Sequence, residues 1–163
     1  MDAAHVHLML NHFPLIGMAF AIPLLLGAWM RSSEDLSRAG LILVAVTGVL
    51  GAATLLTGDP AEGVIEHLPG ISKRVIKIHE EAAEKSIWVV VATAVAALAG
   101  LFFGWKQKRT PRLVVLLVTV LSVASLAALA WTNNLGGQIS HAELRNSTGA
   151  AAPSGTEPSA NHD

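Results

Sequence analysis

His5, His7 and His12 stand within eight residues of one another, immediately ahead of Phe13, Pro14 and a long apolar run. A helix that faces only lipid has no reason to carry three imidazoles at its mouth. Neutral imidazole is a ligand for haem iron and for copper, zinc or iron ions. The chain has seven histidines and no cysteine. That excludes thiolate zinc sites, iron–sulfur clusters, covalent c-type haem attachment and disulfides. Two arrangements remain. Haem b could be held by two imidazoles from facing helices of a bundle. A copper, iron or zinc ion would instead take three or four histidine and carboxylate ligands, with Glu62, Glu80, Glu84 and Glu143 available in sequence.

The candidate ligands, for either group, are His12, His79, His7 and His141. His12 and His79 form the first expected axial pair, with His7 and His141 as replacements or as a second site. On an ideal helix His5 and His12 share a face, and His7 is displaced from His12 by about 140° around the axis. Solvation at a helix end accounts for His5 and His67, and His162 falls in the C-terminal tail. Met9 and Met18 read as core filler. The chain holds no Ser-His-Asp pattern, phosphate loop or metalloprotease motif, so it is not expected to be an enzyme by itself.

These side chains need helices to position them, and composition says where those helices run. Hydrophobic residues make up 52% and charged residues 14% of the 163-residue chain, with a mean hydropathy of +0.53. That balance belongs to membrane proteins. The apolar runs at residues 13–30, 41–56, 87–105 and 113–131 are each long enough to serve as a membrane span. The first is too long, and too poor in basic residues ahead of it, for a cleaved signal peptide. Pro14 removes a backbone donor and frees the carbonyl of Leu10 beside the histidines. The third helix should begin near Ser72 and project well beyond the bilayer, since residues 73–86 are amphipathic and charged. His79 then stands roughly 13 Å above Trp88. Residues 59–72 read as a polar surface loop. Gly100 and Gly104 are spaced for close helix packing.

The expected fold is therefore all-α: an integral membrane four-helix bundle over residues 1–145 with a long third helix, and a disordered tail over 146–163 rich in Ala, Ser, Gly and Pro. Four spans put both termini on one side and the two short turns on the other. The turns hold Arg31, Arg38, Lys106, Lys108, Arg109 and Arg112 against Glu34 and Asp35, a net +4; the opposite side carries five cations and ten acids. The positive-inside rule makes the turn side cytoplasmic. All seven histidines then lie outside, which in a bacterial inner membrane is the periplasmic side. Trp29 and Trp105 mark one boundary, Trp88 and Trp131 the other. A net charge of -1 gives no footprint for nucleic acid.

The opening with His7, His12, Phe13 and Pro14, His79 with Ala83 before the third span, and Gly136 with Gly137 closing the fourth together resemble a family of small bacterial four-helix integral membrane proteins of unassigned function. The likeness covers roughly residues 7–145. In that family the histidines look like haem b ligands, which the resemblance carries to His7, His12 and His79. Many members have a later His-Gly where this chain reads on to His141. The expected function is a membrane-embedded haem b or metal binding protein, acting in electron transfer or as a redox-complex subunit. Its expected partners are the bilayer, other membrane redox subunits and a periplasmic electron carrier. The competing reading is a structural or assembly subunit of a larger membrane complex with no cofactor of its own.

Overall fold

A computed structural model describes residues 2–140. The expected tail and His141 lie outside those residues. Five helices follow one another: α1 (Ala3–Arg31), α2 (Glu34–Leu56), α3 (Gly58–Ile65), α4 (Lys73–Gln107) and α5 (Arg112–Ser140). Four stretches are long and apolar enough to cross a membrane: Ala3–Arg31, Glu34–Ile65, Lys73–Gln107 and Arg112–Ile139. They fit a lipid-bilayer environment, as the composition requires.

α1 starts well before the apolar run because Asp2 caps it, its Oδ1 accepting from the backbone N–H of His5 at 2.9 Å. The helix passes through Pro14 and Pro23 without ending. The Leu10 carbonyl that Pro14 leaves without its usual helical partner accepts a hydrogen bond from the Thr54 hydroxyl of α2 at 3.2 Å. Ser32, in the left-handed region at φ 53°, turns the chain, and Ser33 caps α2, whose first turn carries Glu34 and Asp35 at the positive end of the helix dipole.

The stretch expected to be a polar loop contains α3. Thr57 takes the N-cap position, and Asp59 and Pro60 sit in the first turn, where a missing N–H costs nothing. Ala61 is buried beneath it. The loop reading weighed Gly and Pro as breakers and overlooked that Pro60 falls where a helix tolerates it. The connection that follows is tied to α4 by Lys73, whose ammonium lies 3.0 Å from Glu66 and holds that carboxyl below the usual carboxylate range.

α4 has 35 residues, about 52 Å of rise, against a hydrocarbon core of about 30 Å. The helix is thus longer than a hydrocarbon core is thick, and its charged residues are concentrated in its first part, residues 73–86. Around the bundle, α1 packs on α2 and α5, and α4 packs on the same two helices. α1 and α4 thus face one another across a diagonal. Met18, Leu25, Leu41, Val44, Val90 and Val118 fill the membrane-level core. A second, smaller core of Val75, Ile76 and Ile139, backed by Ile65 and Ile71, caps the outer end. Phe20, Val49, Val95, Phe102 and Val120 point outward, an apolar exterior that fits a lipid-bilayer environment. All four tryptophans also face out, with Arg112 over Trp29 and Lys106 over Trp105. Gly100 and Gly104 turn inward: a methyl group added to them would meet Val114 and Leu41, or Thr110 and Glu34.

Candidate functional site at the outer end of the bundle

The inward row of α1 is Pro14, Met18, Ala21, Leu25 and Ala28. Followed outward at the same alternation of three and four residues, it reaches Asn11 and then His7. The inward row of α4 includes Gly104, Gly100, Ala97, Thr93, Val90 and Ser86; the same extension reaches Ala83 and His79. Apolar positions of the spans thus give way to polar ones above them. Because α1 and α4 are diagonal, the two histidines meet across the bundle axis. Their ring centroids are 6.5 Å apart, with planes at 89°.

Each ring is oriented through Nδ1. His79 Nδ1 lies 3.0 Å from the carbonyl oxygen of Thr132 on α5. A carbonyl only accepts, so this nitrogen carries the proton. His7 Nδ1 lies 2.9 Å from Thr57 Oγ1, and that hydroxyl already donates to the Thr54 carbonyl at 2.7 Å. Thr57 Oγ1 therefore accepts from His7 as well. The hydrogen-bond network assigns the same tautomer to both rings, with Nδ1 protonated and Nε2 holding its lone pair.

Gly136 makes the approach of α5 possible. A Cβ at that position would lie 3.1 Å from His79 Cε1 and 3.4 Å from Nδ1, whereas one at Gly137 meets nothing within 4 Å. Just below, Ser86 and Thr132 share a hydrogen bond at 2.8 Å, and one heptad deeper Thr93 and Ser125 share another at 2.9 Å. These pairs hold α4 against α5 through the span.

The first expected pair, His12 with His79, is not the one brought together. His12 is exposed and its Nδ1 bonds the Leu8 carbonyl of its own helix at 2.8 Å. The physical reason is the helix itself. α1 continues unbroken through Pro14, so His12 keeps its angular offset from His7 and looks away from the axis. His5 is exposed and serves the N-terminal cap, bonding Asp2 Oδ1 at 2.7 Å. His67 is exposed beside Glu66. Met18 is core and Met9 faces outward.

The three- or four-ligand site of histidines and carboxylates has no counterpart among the described residues, where no three such groups converge. Glu80 instead faces Glu62 of α3, and that neighbouring carboxyl, together with burial, pushes the pKa of Glu80 up to about 7. Sequence reasoning passed over Thr57, Thr132 and Asn11. The first two act through partners distant in sequence, but Asn11 was readable from the row that runs from His7 to Pro14.

Compared with family models, curated proteins and solved structures, the chain matches none.

Proposed function

We propose that the protein is a membrane-embedded haem b or metal binding protein, an electron-transfer component whose ligand pair is His7 and His79. The observation that carries this reading is the pair itself: two imidazoles on diagonal helices, each tied through Nδ1 and each left with an Nε2 lone pair. Metal-ligating histidines are held in this way, with the second nitrogen bonded to a carbonyl or similar acceptor that fixes the ring and raises its basicity. The two rings stand 6.5 Å apart with their planes at 89°, and they are the pair of residues that would hold the group. Gly136 leaves room that a larger residue would take from the His79 ring.

When bound, haem or a redox-active ion supplies one-electron chemistry. The chain's own residues supply fixed geometry. Thr57 and Thr132 hold the two rings, and the core rows of α1 and α4 hold the helices, so the ligand separation changes little as charge changes. The charge sorting and tryptophan belts support a periplasmic position for this end of a bacterial inner-membrane protein, with both termini there. A periplasmic carrier or a neighbouring membrane redox subunit would exchange electrons with it. The likeness to small bacterial four-helix membrane proteins with haem-type histidines agrees with this reading.

The test is an absorption spectrum with metal analysis of protein purified after expression with ample haem and iron. A Soret band or stoichiometric metal is expected, lost in His7→Ala and in His79→Ala and kept in His12→Ala. Protein that stays colourless and metal-free overturns the reading.

One observation favours a second reading, a structural or assembly subunit. Both rings already bridge neighbouring helices, His7 to α2 and His79 to α5. On that reading the same two alanine variants lose partner subunits or bundle stability, and wild-type protein never takes up a cofactor.

A further inference from the structure

The two short turns meet at the end of the bundle opposite the histidines. Glu34, at the start of α2, accepts from the backbone N–H of Thr110 at 2.8 Å and from its hydroxyl at 2.9 Å. Arg112 donates to the carbonyl oxygen of Trp29 at 2.8 Å, and its guanidinium lies over the Trp29 ring at 5.7 Å. Between these ties is a recess of about 10 Å³, whose lining includes Trp29, Ser32, Glu34, Arg109 and Arg112. The balance of charge around it is positive. Glu34 is engaged with Thr110 and with Arg38, whose Nε lies 3.3 Å from its Oε1. That leaves the two arginines of the α4–α5 turn in excess. Arg109 is exposed and makes no ion pair or side-chain hydrogen bond among the described residues.

Apolar groups border these cations. Met30 and Leu113, next in sequence to Trp29 and Arg112, are 73% and 76% exposed. On the end of α4, Lys106 lies over the exposed ring of Trp105 at 5.2 Å and over that of Phe102 at 5.8 Å. Exposed hydrocarbon with cations fixed at its edge matches a molecule that is apolar at one end and anionic at the other. The planar fork of arginine suits phosphate oxygens in particular. The recess admits one water-sized group, which is the size of a single phosphate oxygen, while the rest of a headgroup stays over the turn. An acidic protein segment would answer the charge alone and leave Met30 and Leu113 uncovered, as would free phosphate.

We infer that the turn end of the bundle binds one anionic phospholipid, its phosphate held by Arg109 and Arg112 and its acyl chains lying along Met30 and Leu113. The inference is independent of the histidine pair.

The experiment is native mass spectrometry of the full-length protein in a nonionic detergent, with phosphatidylglycerol and phosphatidylcholine added at equal concentration. Wild type should hold one phosphatidylglycerol in preference to phosphatidylcholine. Arg109→Gln should weaken that binding about 10-fold, the loss of a charge-assisted contact. It should leave the lipid-free thermal midpoint unchanged, because Arg109 has no partner in the fold. Arg109→Lys should restore only part of the affinity, since a point charge replaces the fork. Lys108→Gln, next in sequence but outside the recess, should change it little. Equal losses in Arg109→Gln and Lys108→Gln overturn the inference, because a diffuse basic surface gives up about 5-fold for each charge removed. No preference between the two lipids also overturns it and leaves the recess to an acidic protein partner. Displacement of phosphatidylglycerol by inorganic phosphate does the same in favour of a soluble phosphate.

Discussion

Placing a methyl group at Gly136 or at Gly137 should have opposite effects on stability, although the two positions are adjacent in one helix. Replacing an interior helical glycine by alanine stabilises by about 0.8–1 kcal/mol when nothing obstructs the new Cβ. At position 137 nothing lies within 4 Å, so that gain should be realised. At position 136 the Cβ would sit 3.1 Å from His79 Cε1, and the ring must move by a few tenths of an ångström. The ring is held at 3.0 Å to the Thr132 carbonyl, and the push acts on that bond. If the bond breaks, a half-buried N–H loses its partner, which costs about 1–3 kcal/mol. Gly136→Ala should therefore fall about 1–3 kcal/mol below Gly137→Ala. At about 2–4 °C per kcal/mol for a chain of this size, the midpoints should differ by roughly 2–12 °C. Thermal unfolding followed by tryptophan fluorescence in one detergent measures the difference, and the His79 Nδ1 proton resonance reports the bond directly. If Gly136→Ala is as stable as Gly137→Ala and leaves that resonance unmoved, the assignment of His79 against α5 is wrong.

Thr57→Val should remove the acceptor for His7 Nδ1 and lower stability by about 1–3 kcal/mol, whereas Thr57→Ser should keep most of it; denaturation midpoints of the pair decide the point. Gly48→Leu should open the α2–α4 contact, because even a Cβ there runs into Ala94, while Gly63→Ala on α3 meets open space and should be tolerated. The check is the monodisperse yield of each variant in detergent. Since Lys73 depresses the Glu66 carboxyl, the stabilisation that this pair gives is present at neutral pH and is lost as pH falls through the lowered value, below the usual carboxylate range near pH 4.3. Amide exchange across residues 66–73 should accelerate there in wild type, and Lys73→Ala should show no such step.

The four long apolar helices, and the start of α4 near Ser72 with a charged first part, were legible because long apolar runs and a charged amphipathic extension are strong local signals. The Leu10 carbonyl was legible too, since Pro14 must free it in any helix. What failed was the choice of face. His5 and His12 do share one, as the geometry of a helix requires, but it is the outer face; His7 is aligned with Pro14 and Met18. Extending the buried row of the span outward would have selected His7 and Asn11. Two other features could not be read locally. Which helix lies diagonal to α1 depends on packing of all four, and the supports from Thr57 and Thr132 are contacts across 50 and 53 residues of chain.

The small cap of Val75, Ile76, Ile139, Ile65 and Ile71 sets the timing of events beneath it. It lies one turn outward of His79 on α4, while Ile87 and Leu129 of the main core close the layer from below. The polar layer is thus sandwiched between two apolar seals of unequal size. The larger is shared by the four long helices and opens only when the bundle unfolds, whereas the smaller involves few side chains and should open by local unfolding at much lower free energy. Water therefore reaches the histidine layer most readily from the outer side, through fluctuation of the cap. Trimming Ile71 or Ile139 to alanine should hasten hydrogen exchange of the His7 and His79 ring protons while leaving that of the main core unchanged.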